Sequence, residues 1–337
     1  MRNSIAFLGA ILICSLSFGQ KILSVDTLHF TKEKSYSRIV ARYSKNELVF
    51  GTSKTGVILY NEKSKQTQTL VQPVNCGEFR DLIVDGKNIY TCVSGDSGII
   101  YKATKKKVHE IYQDNRFIDD IVLKSNRDLI VLTDPVDHEL YIPIIHPKKK
   151  YVSVFGPFQT VEGEAYFAAS GTTAQLIDGF YYHISGGPNN ATFYRRSTFQ
   201  YDANLTTQLP LPKAEGGGPF SILMLDTKNG VIVGGNYLKP NSSDSTAIYT
   251  SDGGKTWRIS EKCPGGYRSC VTGDSSILFS CGTNGIDYSK DGGKTWNFFA
   301  EGNFCALLWE KNVLYATTNK GYCLKFNLEG AKIEKTQ

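Results

Sequence analysis

Charged residues recur at the starts of short apolar runs along this chain: Arg38, the pair Arg80 and Asp81, the pair Asp119 and Asp120, then Glu162 and Glu164, and finally Arg268. Guanidinium forks take carboxylates and phosphates through paired hydrogen bonds, and carboxyl groups in one cleft can divide acid and base work between them. Such a set could hold an anionic ligand. Joined by a tyrosine nucleophile, it could also hydrolyse a carboxylated sugar. Arg38, Arg80, Asp119, Glu164 and Arg268 are therefore the candidates for ligand binding. They lie far apart in the chain, so their use depends on the elements that bring them together. Arginines and carboxylates also pair to staple neighbouring elements, and both uses stand open at this point.

Those elements show themselves through a repeat. The stretch Tyr249-Thr250-Ser251-Asp252-Gly253-Gly254-Lys255-Thr256-Trp257 returns almost letter for letter as Tyr288-Ser289-Lys290-Asp291-Gly292-Gly293-Lys294-Thr295-Trp296. Each copy runs from an aromatic strand end into Asp-x-Gly, which tolerates left-handed backbone angles, and on into Thr-Trp, which suits a second strand. The Asp252 and Asp291 carboxylates are placed to accept backbone N–H groups across the turn, Gly254 and Gly293 to let it close, and Trp257 and Trp296 to cover it. The spacing Ser/Thr-x-Asp-x-Gly-x-Thr-Trp resembles the Asp-box, or BNR repeat, of sialidase-like and related β-propellers. The resemblance implies a structural role for these six residues, in outer turns remote from any pocket.

The rest of the chain reads as short strands with period-two alternation, glycine-rich turns and no amphipathic run of helix length. Around the repeated turns it divides into four-strand units of about 45 residues, the spacing of propeller blades. Inner strands begin near Arg38, Phe79, Ile118, Glu164, Phe220, Arg268 and Phe304. Val25–Phe30 is left over and is expected to join the last unit, closing the ring so that no strand edge stays exposed. The fold class expected is all-β: one seven-bladed β-propeller of four-stranded antiparallel blades over residues 20–337. In such a ring, the inner-strand starts bring the charged candidates to one channel mouth.

The runs Val161-Glu162-Gly163-Glu164-Ala165, Gly218-Pro219-Phe220-Ser221-Ile222 and Val233-Gly234-Gly235-Asn236-Tyr237-Leu238-Lys239-Pro240-Asn241 form one group with Gly266-Tyr267-Arg268-Ser269-Cys270 and Cys281-Gly282-Thr283-Asn284-Gly285. Together they resemble secreted bacterial propellers similar to photosystem II stability/assembly factors, common in Bacteroidetes and often labelled oxidoreductase or glycosyl hydrolase. The likeness is strongest from about residue 160 to 300. It fades before that, where Tyr60-Asn61-Glu62-Lys63 stands in place of a full repeated turn.

Residues 1–19 read as a secretory signal, with Arg2 as the positive start, Ile5 to Leu16 as the apolar core and Ser17-Phe18-Gly19 as the cleavage site. The protein is thus expected to be exported and periplasmic or secreted. Lys and Arg number 38 against 32 Asp and Glu, a net charge of +6, or about +5 without Arg2. Of eight cysteines, Cys14 falls in the leader. The remaining odd number leaves at least one thiol free or paired between chains, with Cys270 and Cys281 either a disulfide or buried thiols. No CxxC occurs, and the C-terminal third lacks His, so no metal is expected. Nor is a cofactor: Gly216-Gly217-Gly218-Pro219 leads into strand residues instead of a helix, against a dinucleotide site.

Turns between third and fourth strands carry a second charge pattern: Lys63 and Lys65; Lys105, Lys106 and Lys107; Lys148, Lys149 and Lys150; Arg195 and Arg196; with Lys255 and Lys294 in the repeated turns. A basic rim of this kind attracts phosphate-bearing headgroups or acidic protein, and lysines in turns also serve plain solubility. The leading expectation is a monomeric, non-catalytic binding or assembly scaffold that presents a propeller surface to a protein or glycan partner, without nucleic acid. Sialidase-like hydrolysis at the channel mouth is the alternative, although the usual Arg-Ile-Pro motif is absent. Oxidoreductase chemistry comes third.

Overall fold

The computed structural model describes residues 21–75, 77–198 and 204–329. The expected leader and Cys76 lie outside them. Strand β1 (Ile22–His29) precedes the first blade, which is β2 (Ser37–Ser44), β3 (Glu47–Thr52), β4 (Val57–Asn61) and β5 (Thr67–Val71). Blade 2 is β6 (Gly77–Asp85), β7 (Asn88–Gly95), β8 (Gly98–Ala103) and β9 (Val108–Asp114). Blade 3 is β10 (Ile118–Leu123), β11 (Leu129–Thr133), β12 (Glu139–His146) and β13 (Tyr151–Gln159). Blade 4 is β14 (Ala174–Ile177), β15 (Phe180–Gly186), β16 (Ala191–Ser197) and β17 (Leu205–Gln208). Blade 5 follows as β18 (Gly217–Met224), β19 (Gly230–Asn236), β20 (Ala247–Thr250) and β21 (Arg258–Ile259). Blade 6 is β22 (Cys270–Gly273), β23 (Leu278–Gly282), β24 (Gly285–Ser289) and β25 (Asn297–Ala300). Blade 7 is β26 (Phe304–Glu310), β27 (Val313–Thr318) and β28 (Tyr322–Leu328), completed by β1 in the order β1-β28-β27-β26. Seven four-stranded antiparallel sheets make a β-propeller. No helix among the described residues is long and apolar enough to cross a membrane.

Burial explains the strand chemistry. Middle strands are covered on both faces by neighbouring blades, so Leu48-Val49-Phe50 in β3 and Leu129 to Leu132 in β11 run apolar without alternation and are almost fully buried. The core lies between blades. Tyr182 and Phe193 of blade 4, for example, pack with Ile222, Ile232, Ile248 and Trp257 of blade 5.

At the closing seam, Thr27 and Leu28 of β1 face Leu324 and Cys323 of β28, and Phe30 stacks on Phe50 of blade 1 at 4.0 Å. Arg42 of blade 1 reaches Glu310 of blade 7 at 2.8 Å and Glu62 of its own blade at 2.6 Å, while Lys325 of blade 7 reaches Glu62 at 2.8 Å. The first strand therefore removes the last open edge, and a charge network locks it.

The repeated turns form as their chemistry requires. Asp291 Oδ1 accepts the Thr295 and Lys294 amides at 2.9 and 3.1 Å, and its Oδ2 accepts the Thr295 hydroxyl at 2.6 Å. Asp252 makes the same bonds to the amide and hydroxyl of Thr256, at 2.9 and 2.7 Å. Those bonds from Thr256 hold the Asp252 carboxyl at about 2, well below the ordinary carboxylate range. Gly254 and Gly293 sit at φ +83° and +87°, and a Cβ on either would strike the preceding blade, at Phe193 and Val231 respectively. Trp296 is buried and donates its indole N–H to the Gly293 carbonyl at 3.1 Å. Trp257 stands edge-on to Phe193 at 5.2 Å. Each turn thus locks its blade to the one before it.

One expectation meets a different outcome, and one alternative left open is resolved. The inner strand of blade 4 begins at Ala174, about ten residues beyond Glu164, and the intervening segment is a loop. All six described cysteines, Cys92, Cys263, Cys270, Cys281, Cys305 and Cys323, are free thiols, although Cys270 and Cys281 face each other across β22 and β23.

Candidate functional site

The inner strands carry a recurring irregularity. Register slips between Ser37 and Ile39, Phe79 and Asp81, Ile118 and Asp120, Pro219 and Ser221, and Phe304 and Leu307. A bulge leaves one residue unpaired and re-aims its side chain. The unpaired residues include Arg38, Arg80, Asp119 and Phe220, and all but Asp119 line one cavity at the channel mouth.

The loop of residues 160–173 crosses this mouth from blade 4. The Ala168 carbonyl accepts Arg80 Nη1 of blade 2 at 3.1 Å, and the Ser170 hydroxyl donates to the Ser269 carbonyl of blade 6 at 2.8 Å. Asp134 of blade 3 accepts the Tyr166 amide at 2.9 Å. Asp120 accepts the Thr173 and Ala174 amides at 2.7 and 2.9 Å, and Asp81 accepts the Ile121 amide at 2.9 Å. Gly171 lies against Asp81 so closely that a Cβ would fall 2.3 Å from its carboxylate. The loop is a plug made from the protein's own chain, and buried acids anchor it.

Burial raises these acids. Asp81 is pushed up to about 7, and Asp120, hydrogen-bonded to it, also lies well above the ordinary range. Asp119 is fully buried beside Asp134, Asp120 and Arg80, and burial raises it strongly as well. No hydrogen bond of good geometry satisfies its oxygens, the Ala168 amide giving only a weak favourable contact.

The cavity outside the plug is about 630 Å³, and all seven blades contribute to its wall. Arg38 Nε and Arg80 Nη2 both bind Glu78 Oε2, each at 3.2 Å. One carboxylate oxygen thus serves two guanidiniums. Burial first, and the Arg38 charge second, lower the proton affinity of Arg80. Arg38 lies over the Tyr36 ring at 5.2 Å and Arg80 over Phe117 at 5.4 Å. Phe167 of the plug stacks on Phe220 at 4.1 Å, and Tyr267 meets Phe220 edge-on at 4.8 Å. Ser269, Thr283 and Asn303 supply hydroxyl and amide groups to the wall.

The expected convergence of five charged residues is therefore narrower than the inner-strand starts imply. Arg38 and Arg80 meet at the mouth, and Asp119 lies buried near Arg80. Glu164 does not join them: its Oε1 accepts the Ser185 and Tyr194 hydroxyls, both at 2.6 Å, and its Oε2 accepts the Val161 amide at 3.0 Å, tying the loop to blade 4. Arg268 is buried and doubly bound to Asp287, with Asn284 Oδ1 2.6 Å from its Nη1. Glu78 and the ring of aromatics were not singled out from sequence. The one signal for the aromatics was the recurrence of an aromatic residue near each inner-strand start, and Glu78 had none.

Strand alternation puts the turns between third and fourth strands on the opposite face. Lys63, Lys65, Lys106, Lys107, Lys148, Lys149 and Lys150 are exposed there. Lys105 pairs with Glu47 at 2.6 Å, and Arg196 is buried against Phe158 and Tyr194, so the basic rim is thinner than its sequence suggests. No group of three or more His, Cys, Asp or Glu among the described residues could hold a metal ion.

The fold has clear structural relatives. The selenomethionine-substituted virginiamycin B lyase from Staphylococcus aureus superposes with a TM-score of 0.64 at 11% identity, covering 91% of this chain and 99% of that one. The WD40 β-propeller domain of Doa1 gives 0.63 at 10% identity, covering 92% and 97%. The computationally designed protein Ika8 gives 0.57 at 13% identity, covering 92% and 100%. At these identities the likeness establishes the seven-bladed propeller and nothing of chemistry. No family model matches the chain, and no curated protein matches it.

Proposed function

We propose that this protein is a non-catalytic binding or assembly scaffold of the cell envelope, presenting its channel mouth to a protein or glycan partner. The observation that carries the reading is the plug: the 160–173 loop spans the channel, bonded to blade 2 through Arg80 and to blade 6 through Ser269. Hydrolysis of the sialidase type asks for carboxylates free to exchange protons beside an arginine cluster. Here Glu164 is committed to three donors and Arg268 to Asp287, Asp119 is fully buried and outside the cavity wall, Asp134 accepts the Tyr166 amide, and Arg38 and Arg80 share Glu78. The paired turns around Asp252 and Asp291 support the finer reading of a BNR/Asp-box propeller of the secreted bacterial group. The leader expected over residues 1–19 supports a periplasmic or secreted location. Retention of one envelope component by the immobilised protein, lost in Arg38→Gln, is the result expected. Turnover of a chromogenic glycoside that disappears in Arg38→Gln would overturn the non-catalytic reading.

A further inference from the structure

We infer that the channel mouth binds the carboxylate of an acidic sugar, a hexuronate unit of a glycan, with Arg38 as the group that receives it. The inference rests on the scaffold reading and narrows its partner to one chemistry. Arg38 engages Glu78 through Nε, and its two terminal nitrogens have no hydrogen-bond partner among the described residues. Those nitrogens are the parallel donors that a carboxylate takes bidentately, and the guanidinium that carries them lies over the Tyr36 ring at 5.2 Å.

The charge balance points the same way. Two guanidiniums from neighbouring blades share a single carboxylate oxygen, and Asp134, the acid on the cavity wall, is raised by burial, which weakens its opposition to an incoming anion. The remainder of the wall suits a sugar. Tyr237, about half exposed at 49%, offers an aromatic ring to the C–H side of a pyranose, while Tyr36, at 43%, carries the Arg38 guanidinium over its ring. Thr283 and Asn303, both exposed, offer partners for ring hydroxyls, whereas the Ser269 hydroxyl is already engaged by the Cys281 and Cys305 carbonyls. A cavity of about 630 Å³ lies in the range of small-ligand sites. The C-terminal carboxylate of a peptide would also satisfy Arg38, and comparison with N-acetyl-phenylalanine separates the two.

The test is calorimetric titration of the purified protein with D-glucuronate, its methyl ester, D-glucose and N-acetyl-phenylalanine. D-glucuronate is expected to bind about tenfold or more tightly than its methyl ester or glucose, the size of one charge-assisted contact. That preference should vanish in Arg38→Gln and persist in Lys105→Gln on the opposite face. The comparison of acid with ester in the unaltered protein does not depend on any variant folding. Equal binding of acid and ester overturns the inference and leaves a glycan partner standing. Tighter binding of N-acetyl-phenylalanine overturns it in favour of a protein ligand, and no binding of any sugar overturns it outright. None of these results concerns turnover, so failure here is distinct from failure of the scaffold reading.

Discussion

Arg268 and Arg38 are both arginines at or beside an inner strand, one in blade 6 and the other in blade 1, yet their surroundings differ in kind. Around Arg268 every nitrogen is engaged: Asp287 takes two of them, and Asn284 and the Tyr267 carbonyl take the third. Around Arg38 a single oxygen of Glu78 is divided with Arg80. The repeated turns of blades 5 and 6 extend the first pattern, since their aspartates close on donors within five residues. A satisfied charge holds the fold together, whereas a charge left short is available to a ligand.

The largest effect that tests this contrast is Arg268→Ala, which strands the mostly buried Asp287 carboxylate. A loss of about 3–5 kcal/mol is expected from urea unfolding, as for a broken buried pair. Sugar binding at the mouth by the remaining folded protein should not change. A stable variant with weakened binding would erase the distinction between the two arginines.

Asp291→Ala comes next. Removing a carboxylate that accepts two amides and two hydroxyls, from Thr295 and Ser289, should cost about 1–2 kcal/mol. Thermal unfolding would show it as a lowered Tm, again with ligand binding intact.

The two regions should also differ in their response to pH. Asp81 lies at about 7 in the fold against an ordinary 3.8, so the folded state holds an extra proton between those values. Its contribution to stability is full below about pH 4, is lost as pH rises towards 7, and is flat beyond. Each pH unit in that window is worth at most about 1.4 kcal/mol per proton held. Asp252 has the reverse sign: lowered to about 2, it contributes above the ordinary 3.8 and loses that contribution as pH falls through 2. Unfolding midpoints measured from pH 4 to 8 should decline to neutrality in the unaltered protein and decline less steeply in Asp81→Asn, with the raised Asp119 and Asp120 keeping part of the slope. Asp252→Asn should leave that window unchanged.

The smallest effect on stability is expected at Arg38. Arg38→Gln removes a partly exposed, shared ion pair and should shift the unfolding midpoint by no more than about 0.5 kcal/mol. A large destabilisation would make Arg38 one more staple between blades.

Blade count, closure by the N-terminal strand and the chemistry of the repeated turns were legible in the sequence because each depends on neighbours close along the chain. Alternation marks strands, Asp-x-Gly marks turns, and one surplus strand marks the seam. The bulges left a trace as well: adjacent charges at Arg80-Asp81 and Asp119-Asp120 break an otherwise alternating run. Which charges meet was a tertiary decision. Glu164 reads like the other inner-strand acids, yet its loop turns it towards Ser185 and Tyr194, and Arg268 finds Asp287 nineteen residues on. The plug could not be read at all, since its anchors Arg80, Asp134 and Ser269 come from three different blades and approach residues 166–170 only when the ring closes. Partners contributed by separate blades have no spacing in sequence, and satisfaction of a buried charge is settled by whichever donors closure brings within reach.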